Sequence, residues 1–383
     1  MHFRLSALGV PLRHTQLRTI QHSAKVDNLH YHLHHLRQHS VEIMRAAFFW
    51  LTVSAGVGLA KPCEGGFWRD LAPIALTPRQ EHVTVPLPPS SLAILGGIVP
   101  AGEIFNTTDI VQIYDIQKDA WRSAAPMPVP LNHANAASLD GKIYLLGGLA
   151  VAPDGAWRAI PDSWVYDVAS STWQAIEPMP SNEARGSAAV GVYNKTIFLA
   201  GGMTVLSVIS GEQASVDTVS AFDTVSGRWL TLPAAATKIP GARDHAGGAV
   251  VGDSFFVLGG RDRGQANVRD TVFALDVKNL DAGWKTKVSK MPTARGGLAA
   301  AAVGAKVYTF GGEGNPAEGS SGVFNETEAY DTTSDSWAVL PPMKLPRHGT
   351  SATTIGGRIY IPGGGISIGG HPVDNVDVYE LGR

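Results

Sequence analysis

The sequence predicts an all-β fold, a six-bladed propeller, and three observations carry that reading. Six Gly-Gly pairs punctuate the chain, at Gly96-Gly97, Gly147-Gly148, Gly201-Gly202, Gly259-Gly260, Gly311-Gly312 and Gly363-Gly364. Successive pairs lie 51, 54, 58, 52 and 52 residues apart, a period near 50 of the kind that marks radial repeats. Each pair ends an apolar, strand-forming run, such as Lys142-Ile143-Tyr144-Leu145-Leu146 or Ser254-Phe255-Phe256-Val257-Leu258. Glycine there lets the backbone take a positive φ and approach a neighbour closely. Finally, an aromatic-acid pair is followed by a Trp at a spacing of 7: Tyr114-Asp115 and Trp121, Tyr166-Asp167 and Trp173, Phe222-Asp223 and Trp229, Tyr330-Asp331 and Trp337. The fourth repeat departs from this, with Leu275-Asp276 and Trp284.

The elements of each repeat follow in order. The doublet closes one strand, a variable loop leads to the aromatic-acid strand, and a polar turn such as residues 167–171 leads to the Trp strand. A Pro-Met-Pro-like segment comes next (Pro126-Met127-Pro128, Pro178-Met179-Pro180, Met291-Pro292). A run of small residues, such as Leu298-Ala299-Ala300-Ala301-Ala302, then suits the crowded strand nearest the axis. Each blade thus reads as four antiparallel strands. The last repeat reaches Val378-Tyr379-Glu380 and has no Trp strand after it, whereas Phe67-Trp68-Arg69-Asp70-Leu71 stands unassigned at the other end. This N-terminal strand is expected to complete the C-terminal blade, which closes the ring and removes the open sheet edges.

Residues 61–383 are therefore expected to form the propeller. Residues 1–43 hold 8 of the 13 histidines and no alternating pattern. They read as a His-rich extension upstream of the true translation start, with a metal-binding tract as the rival reading. Residues 44–60 show the order of a secretory signal peptide: Met44-Arg45, an apolar run from Ala46 to Val53, then small residues ending at Ala60. The run is short for a bilayer span. Secretion also fits three sequons, at Asn106, Asn194 and Asn325. Cys63 is the only cysteine, which in an exported chain points to an intermolecular disulfide, and so a homodimer, or to a free thiol. Lys and Arg number 31 against 33 Asp and Glu, with no basic stripe, so nucleic acid is not an expected partner.

Candidate chemistry lies where the blades enter the axial channel. Sixteen residues before each doublet stand Gln80, Leu131, Arg185, Arg243, Arg295 and Arg347, with Arg79 one residue off the column. Guanidinium groups there either tie blades together or hold an anionic or enolate-like ligand. Two residues further on stand His82, His133, Ser187, His245, Gly297 and Gly349, with His348 one position off. Such histidines serve as acids, bases or hydrogen-bond donors. Asp244 would orient the His245 imidazole only if the chain bends between them, because neighbours on a strand face opposite ways. The loops after the doublets differ from one another, and Phe105, Trp157, Arg261 and Glu313 are the ligand-binding candidates they carry.

Residues 66–383 resemble the kelch-repeat propellers, and with the leader the chain is similar to secreted six-bladed kelch proteins of filamentous fungi. That resemblance implies several chemistries, which the residues separate. Copper radical oxidases of the galactose-oxidase type need a propeller cysteine, and none is present. The iron motif of specifier proteins, Glu-x3-Asp-x3-His, does not occur. Sugar epimerases of the sialic acid type use acid–base residues at the channel mouth, which this chain offers. Fungal propellers that guide cofactor-free cyclisations, including hetero-Diels–Alder reactions, have apolar loops with Arg and His donors, and this chain looks compatible with them. The expected activity is thus a cofactor-independent cyclase or isomerase acting on a small hydrophobic or polyoxygenated molecule. His245, His133 and Arg243 are its expected catalytic groups, and His82, Arg185, Arg295, Arg347 and His348 contribute to binding. No metal or other cofactor is expected. The competing expectation is a module that binds glycans or proteins through the loop face.

Overall fold

The computed structural model describes residues 65–102 and 104–382. The expectations for residues 1–43, for the leader at 44–60 and for Cys63 lie outside these. Six antiparallel sheets form the blades, five of four strands and one, that of blade two, enlarged to six by the strands Met203–Leu206 and Gln213–Ser215. Blade one runs Val83–Leu87, Ser91–Leu95, Val111–Asp115, Ala120–Ser123 from axis to rim. The inner strands of the next blades are Ala136–Leu139, Ala189–Tyr193, Gly247–Val251, Ala299–Val303 and Thr353–Ile355. Each inner strand contacts those on either side, so the six form a closed circle. Phe67–Leu71 pairs with Val376–Glu380 from Phe67 opposite Glu380 to Leu71 opposite Val376, and so supplies the rim of the sixth blade as the sequence predicts.

Repeated residues do repeated work. The Asp of each aromatic-acid pair caps the turn that follows it; Asp167 Oδ1, for example, accepts the N–H groups of Ala169 and Ser170. The Trp stacks on the aromatic of its own blade, with Tyr114 and Trp121 centroids 5.0 Å apart, and Tyr379 and Trp68 4.9 Å apart. Its indole N–H donates to a carbonyl of the preceding blade's exit segment, as from Trp121 to Ala72, Trp173 to Ala125 and Trp68 to Pro341. Trp68 therefore does for blade six what the other tryptophans do for theirs. In blade four, where Leu275 replaces the aromatic, Trp284 packs on Phe255 instead, at 5.7 Å.

The doublets explain themselves in the same way. Both glycines of every pair have positive φ. In five of the six the second donates its N–H to the carbonyl of the next blade's entry segment, as from Gly202 to Arg243 and from Gly364 to Arg79. A Cβ on the first would stand 2.2 Å from Arg347 O at Gly311 and 2.5 Å from Arg243 O at Gly201. Only glycine allows that approach.

Trp68→Ala removes both the blade-to-blade hydrogen bond and the packing on Tyr379 and Phe310. It should cost ~3 kcal/mol, read as a lower midpoint in chemical denaturation.

Candidate functional site

The site grows from a backbone feature. Glu81, His133, Ser187, His245, Gly297 and Gly349, one from each blade, stand just before the inner strands, and all have φ between 51° and 62°. Each N–H donates to the carbonyl of the residue before it in this series: His133 to Glu81 (2.9 Å), Ser187 to His133 (2.7 Å), His245 to Ser187 (3.3 Å), Gly297 to His245 (2.9 Å), Gly349 to Gly297 (3.0 Å) and Glu81 to Gly349 (2.6 Å). The chain of bonds closes on itself around the axis. The left-handed backbone costs a non-glycine residue roughly 1–2 kcal/mol, yet four of the six positions carry side chains. Strain of this kind collects where a side chain is needed in a particular place.

Three of those side chains meet. His133 Nε2 lies 3.0 Å from His245 Nε2 and 3.1 Å from Glu81 Oε2, and His245 Nε2 lies 3.6 Å from the same oxygen. The other ring nitrogens are held from outside. His245 Nδ1–H donates to Asp244 Oδ1 at 2.5 Å, and His133 Nδ1–H to Asn132 Oδ1 at 2.6 Å. Asp244 is gripped in turn by Gln213 Nε2 at 2.8 Å, by Ser215 and by Arg261 Nε at 3.2 Å. Arg261 also pairs with Glu313 and places Nη2 at 3.2 Å from His245 Nε2. His348 stands beside the group, Nδ1 3.7 Å from Glu81 and 3.5 Å from Glu313, while Nε2–H donates to Ser367 O at 2.8 Å. All of these side chains are buried except Gln213, which is half-buried, and Glu81, which is one-tenth exposed.

Burial and charge set their protonation. Burial works to raise the Glu81 carboxyl, but His133 and His245 outweigh it and hold it well below the usual carboxylate range. Asp244 is likewise brought down to about 2 against its burial, by His245, Arg261 and Ser215. Burial and Arg261 push His245 down, yet Asp244 and Glu81 prevail and raise it. Burial lowers His133 despite Glu81, and takes His348 to about 4. The trio therefore holds an acid, His245, against a base, Glu81, with a neutral imidazole between them.

The trio faces an axial cavity of about 370 Å³ that runs along the inner strands. Val83, Val85, Ala136, Val190 and Ala300 give it apolar walls, broken by Thr84 and Ser138. The lining is thus mixed, with Ser187, Thr350, Ser351 and Thr353 adding further hydroxyls, and the trio sets its ionisable groups together at one place on it.

The structure brings together His133, His245, His348, Arg261 and Glu313. The half-buried Trp157 ring covers His133, 5.9 Å between centroids. Phe105 stays out on the hairpin Ile98–Ala101/Ile104–Thr107, 39% exposed. His82 lines the cavity but not the trio, and neither ring nitrogen has a hydrogen-bond partner among the described residues; burial takes it to about 3. Asn106 and Asn194 are exposed, whereas Asn325 is half-buried.

The arginines require a correction. Arg243 donates to Gly259 O at 2.9 Å and to Thr271 Oγ1 at 2.9 Å, with Phe273 stacked 4.0 Å from its guanidinium. Arg185 reaches the carbonyls of Gly201 and Leu199, Arg295 reaches Thr309 and Glu328, and Arg347 reaches Asn375 O and Asp377. These side chains are buried within their own blades, and none lines the cavity. Each entry segment extends its long side chain back along its own sheet, where carbonyls can satisfy a guanidinium.

Glu81 is the trio member that the histidine column hides. Blade one carries an extra residue between its arginine and its doublet, so counting back from Gly96 lands on His82. Counting two forward from the arginine gives Glu81, Ser187, His245, Gly297 and Gly349, the hydrogen-bonded series itself. The condition placed on Asp244 is met: the φ of +54° at His245 bends the chain and turns the two side chains toward each other.

A family profile described as the KLHDC2/KLHL20/DRC7 Kelch-repeats domain matches residues 69–260 and 204–364. This chain is a kelch-repeat protein. The kelch propeller is 40% identical over 309 residues to the Kelch-like protein terF of Aspergillus terreus, covering 79% of this chain and 66% of that protein. It is 27% identical over 253 residues to Kelch domain-containing protein 3 of Homo sapiens, covering 62% of this chain and 64% of that one. Kelch-like protein 38 of Rattus norvegicus is 27% identical over 259 residues, 67% of this chain and 40% of that one. The chain thus spans less than two thirds of each relative's length.

Gly349 makes room for the trio. A Cβ there would stand 2.3 Å from Glu81 Oε1 on a backbone of φ +60°. Gly349→Ala should displace the Glu81 carboxylate and cost roughly 1–3 kcal/mol. Thermal denaturation, with the His133 and His245 ring resonances as a second readout, checks both effects.

Proposed function

We propose that this kelch protein binds a small, largely apolar organic molecule in its axial cavity and rearranges it without redox chemistry, as an isomerase or cyclase. The observation that carries the reading is the convergence of Glu81, His133 and His245, on strained backbone, at a cavity whose walls are part apolar and part hydroxyl-bearing. In this mechanism the cavity orients the ligand and excludes water. The raised His245 donates a hydrogen bond or proton to an oxygen on which charge develops, and Glu81 accepts a proton from the ligand. Asp244 fixes the His245 tautomer and Asn132 that of His133. A sugar epimerase-like reaction uses the same acid and base.

Secretion belongs to the reading and is supported by the leader-like order of residues 44–60 and by exposed sequon asparagines at 106 and 194. Cys63 would then link two copies. No helix among the described residues is long and apolar enough to cross a membrane. A second reading, an interaction module, is favoured by exposed Val151, Val208 and Ile209 on the paired hairpins of blades two and three.

Native mass spectrometry of protein exported by its own source tests this. The expected result is one retained organic molecule per chain, lost in Ala300→Phe, which fills the cavity, and a mature start at Lys61 with a reducible dimer. Once the ligand is known, Glu81→Gln and His245→Asn should each slow turnover by about 100-fold or more. A ligand-free chain accompanied by a protein partner, and a partner lost on Val208→Asp with Ile209→Asp, would favour the module.

A further inference from the structure

The charge of the trio and its surroundings does not balance. Three carboxylates, Glu81, Asp244 and Glu313, stand in one cluster with a single guanidinium, Arg261, which pairs with Asp244 and Glu313 while Glu81 faces the histidines. Counting His245 as protonated, this leaves one negative charge, and two whenever His245 is neutral, in a place where Asp244, Glu313 and Arg261 are almost wholly out of water. Uncompensated buried charge is expensive. His348 has its Nδ1 turned toward Glu81 and Glu313 without a hydrogen bond, and so adds no compensation. The other groups contacting Asp244 and Glu313 (Gln213, Ser215, Gln265 and the Gly369 N–H) are neutral.

The ligating geometry points the same way. Because both Nδ1–H groups are committed outward to Asp244 and Asn132, each imidazole when neutral aims an Nε2 lone pair inward, that of His245 lying also 3.2 Å from Arg261 Nη2. These lone pairs and a Glu81 oxygen stand 3.0, 3.1 and 3.6 Å from one another. Ligand atoms at the usual bond lengths on one tetrahedral zinc ion lie about 3.3–3.5 Å apart. Outward-held Nδ1–H groups are also the second-layer arrangement that fixes metal-binding histidines.

We infer that Glu81, His133 and His245 form a binding site for a single divalent transition-metal ion of the zinc type. Two nitrogens and one carboxylate oxygen suit zinc, and also iron(II) or manganese(II). One dication, in displacing the His245 Nε2 proton, leaves the cluster neutral. Three protein ligands leave a coordination position free toward the axial cavity, the pattern of catalytic rather than structural zinc. An ion there would polarise a ligand oxygen in the cavity. An ion held by these atoms would take over the acid and base roles given above to His245 and Glu81. The inference rests on the trio and not on the cavity's taking an organic ligand, so ligand without metal and metal without ligand are distinguishable outcomes.

The test uses the full chain, stripped with chelator and dialysed against zinc or cobalt(II), with bound metal measured by mass spectrometry. Residues 1–43 bring eight further histidines, so the difference between proteins is what counts. Wild type should retain one ion more per chain than Glu81→Gln or His133→Asn, each shown to be folded by circular dichroism. Asp244→Asn, which keeps all three ligands, should bind that ion about 10–100-fold more weakly. Cobalt(II) should give the strong visible absorption of four- or five-coordinate metal, absent from the Glu81→Gln spectrum. Equal metal content in wild type and the ligand variants would overturn the inference, as would no binding by folded wild type. If the ligand variants fail to fold, wild-type affinity in Asp244→Asn overturns it as well.

Discussion

The hydrogen-bonded circle of Glu81, His133, Ser187, His245, Gly297 and Gly349 is the constraint on which the rest of the architecture turns. It brings one residue from each of six sheets within bonding reach of its neighbours. That geometry demands a left-handed backbone at every position, small or specially placed side chains, and entry segments of fixed shape. The two glycines meet the demand without strain. The glutamate, the serine and the histidines meet it at a cost, which the rest of the fold offsets.

Two sets of repeated contacts hold the circle in place. Near the axis, doublet glycines of one blade bind the carbonyls of the next blade's entry segment, and the buried arginine of that segment ties it to its own sheet. At the rim, tryptophans bridge each blade to the one before. These contacts recur with the repeat and explain its sequence signature. The trio does not recur. It arises because three of six equivalent positions depart from small residues, and because Ser187, between the histidines, is short enough to let their rings meet.

The fold was legible because every repeated contact needs a particular residue type: glycine against a carbonyl, tryptophan over an aromatic, aspartate at a turn. Ring closure by Phe67–Leu71 followed from the one missing tryptophan. The site was only half legible. His133 and His245 stood out in their column, but the single-residue offset in blade one moved Glu81 out of view and put His82 in its place. The arginines were seen as a column and misplaced in direction, since a count along the chain does not say whether a side chain turns toward the axis or back along its sheet. Loop residues Arg261 and Glu313 were visible as binding candidates, but their place beside the trio depends on the long-range pairing of Asp244 with Arg261 and of Gly296 with Glu313, which no local pattern reveals.

The pairing of Phe67–Leu71 with Val376–Glu380 also sets a timetable. The rim of the sixth blade is translated before the other five blades, and the strand it must join is translated after them. Throughout synthesis the growing propeller is an open arc with an unpaired sheet edge at each end, and closure must overcome the loop entropy of nearly the whole domain. The axial circle of hydrogen bonds, which needs all six blades, cannot form until then. A truncated or stalled chain therefore lacks more than its missing blade: it has no axis, and hence neither the cavity nor the geometry that brings Glu81 to His133 and His245.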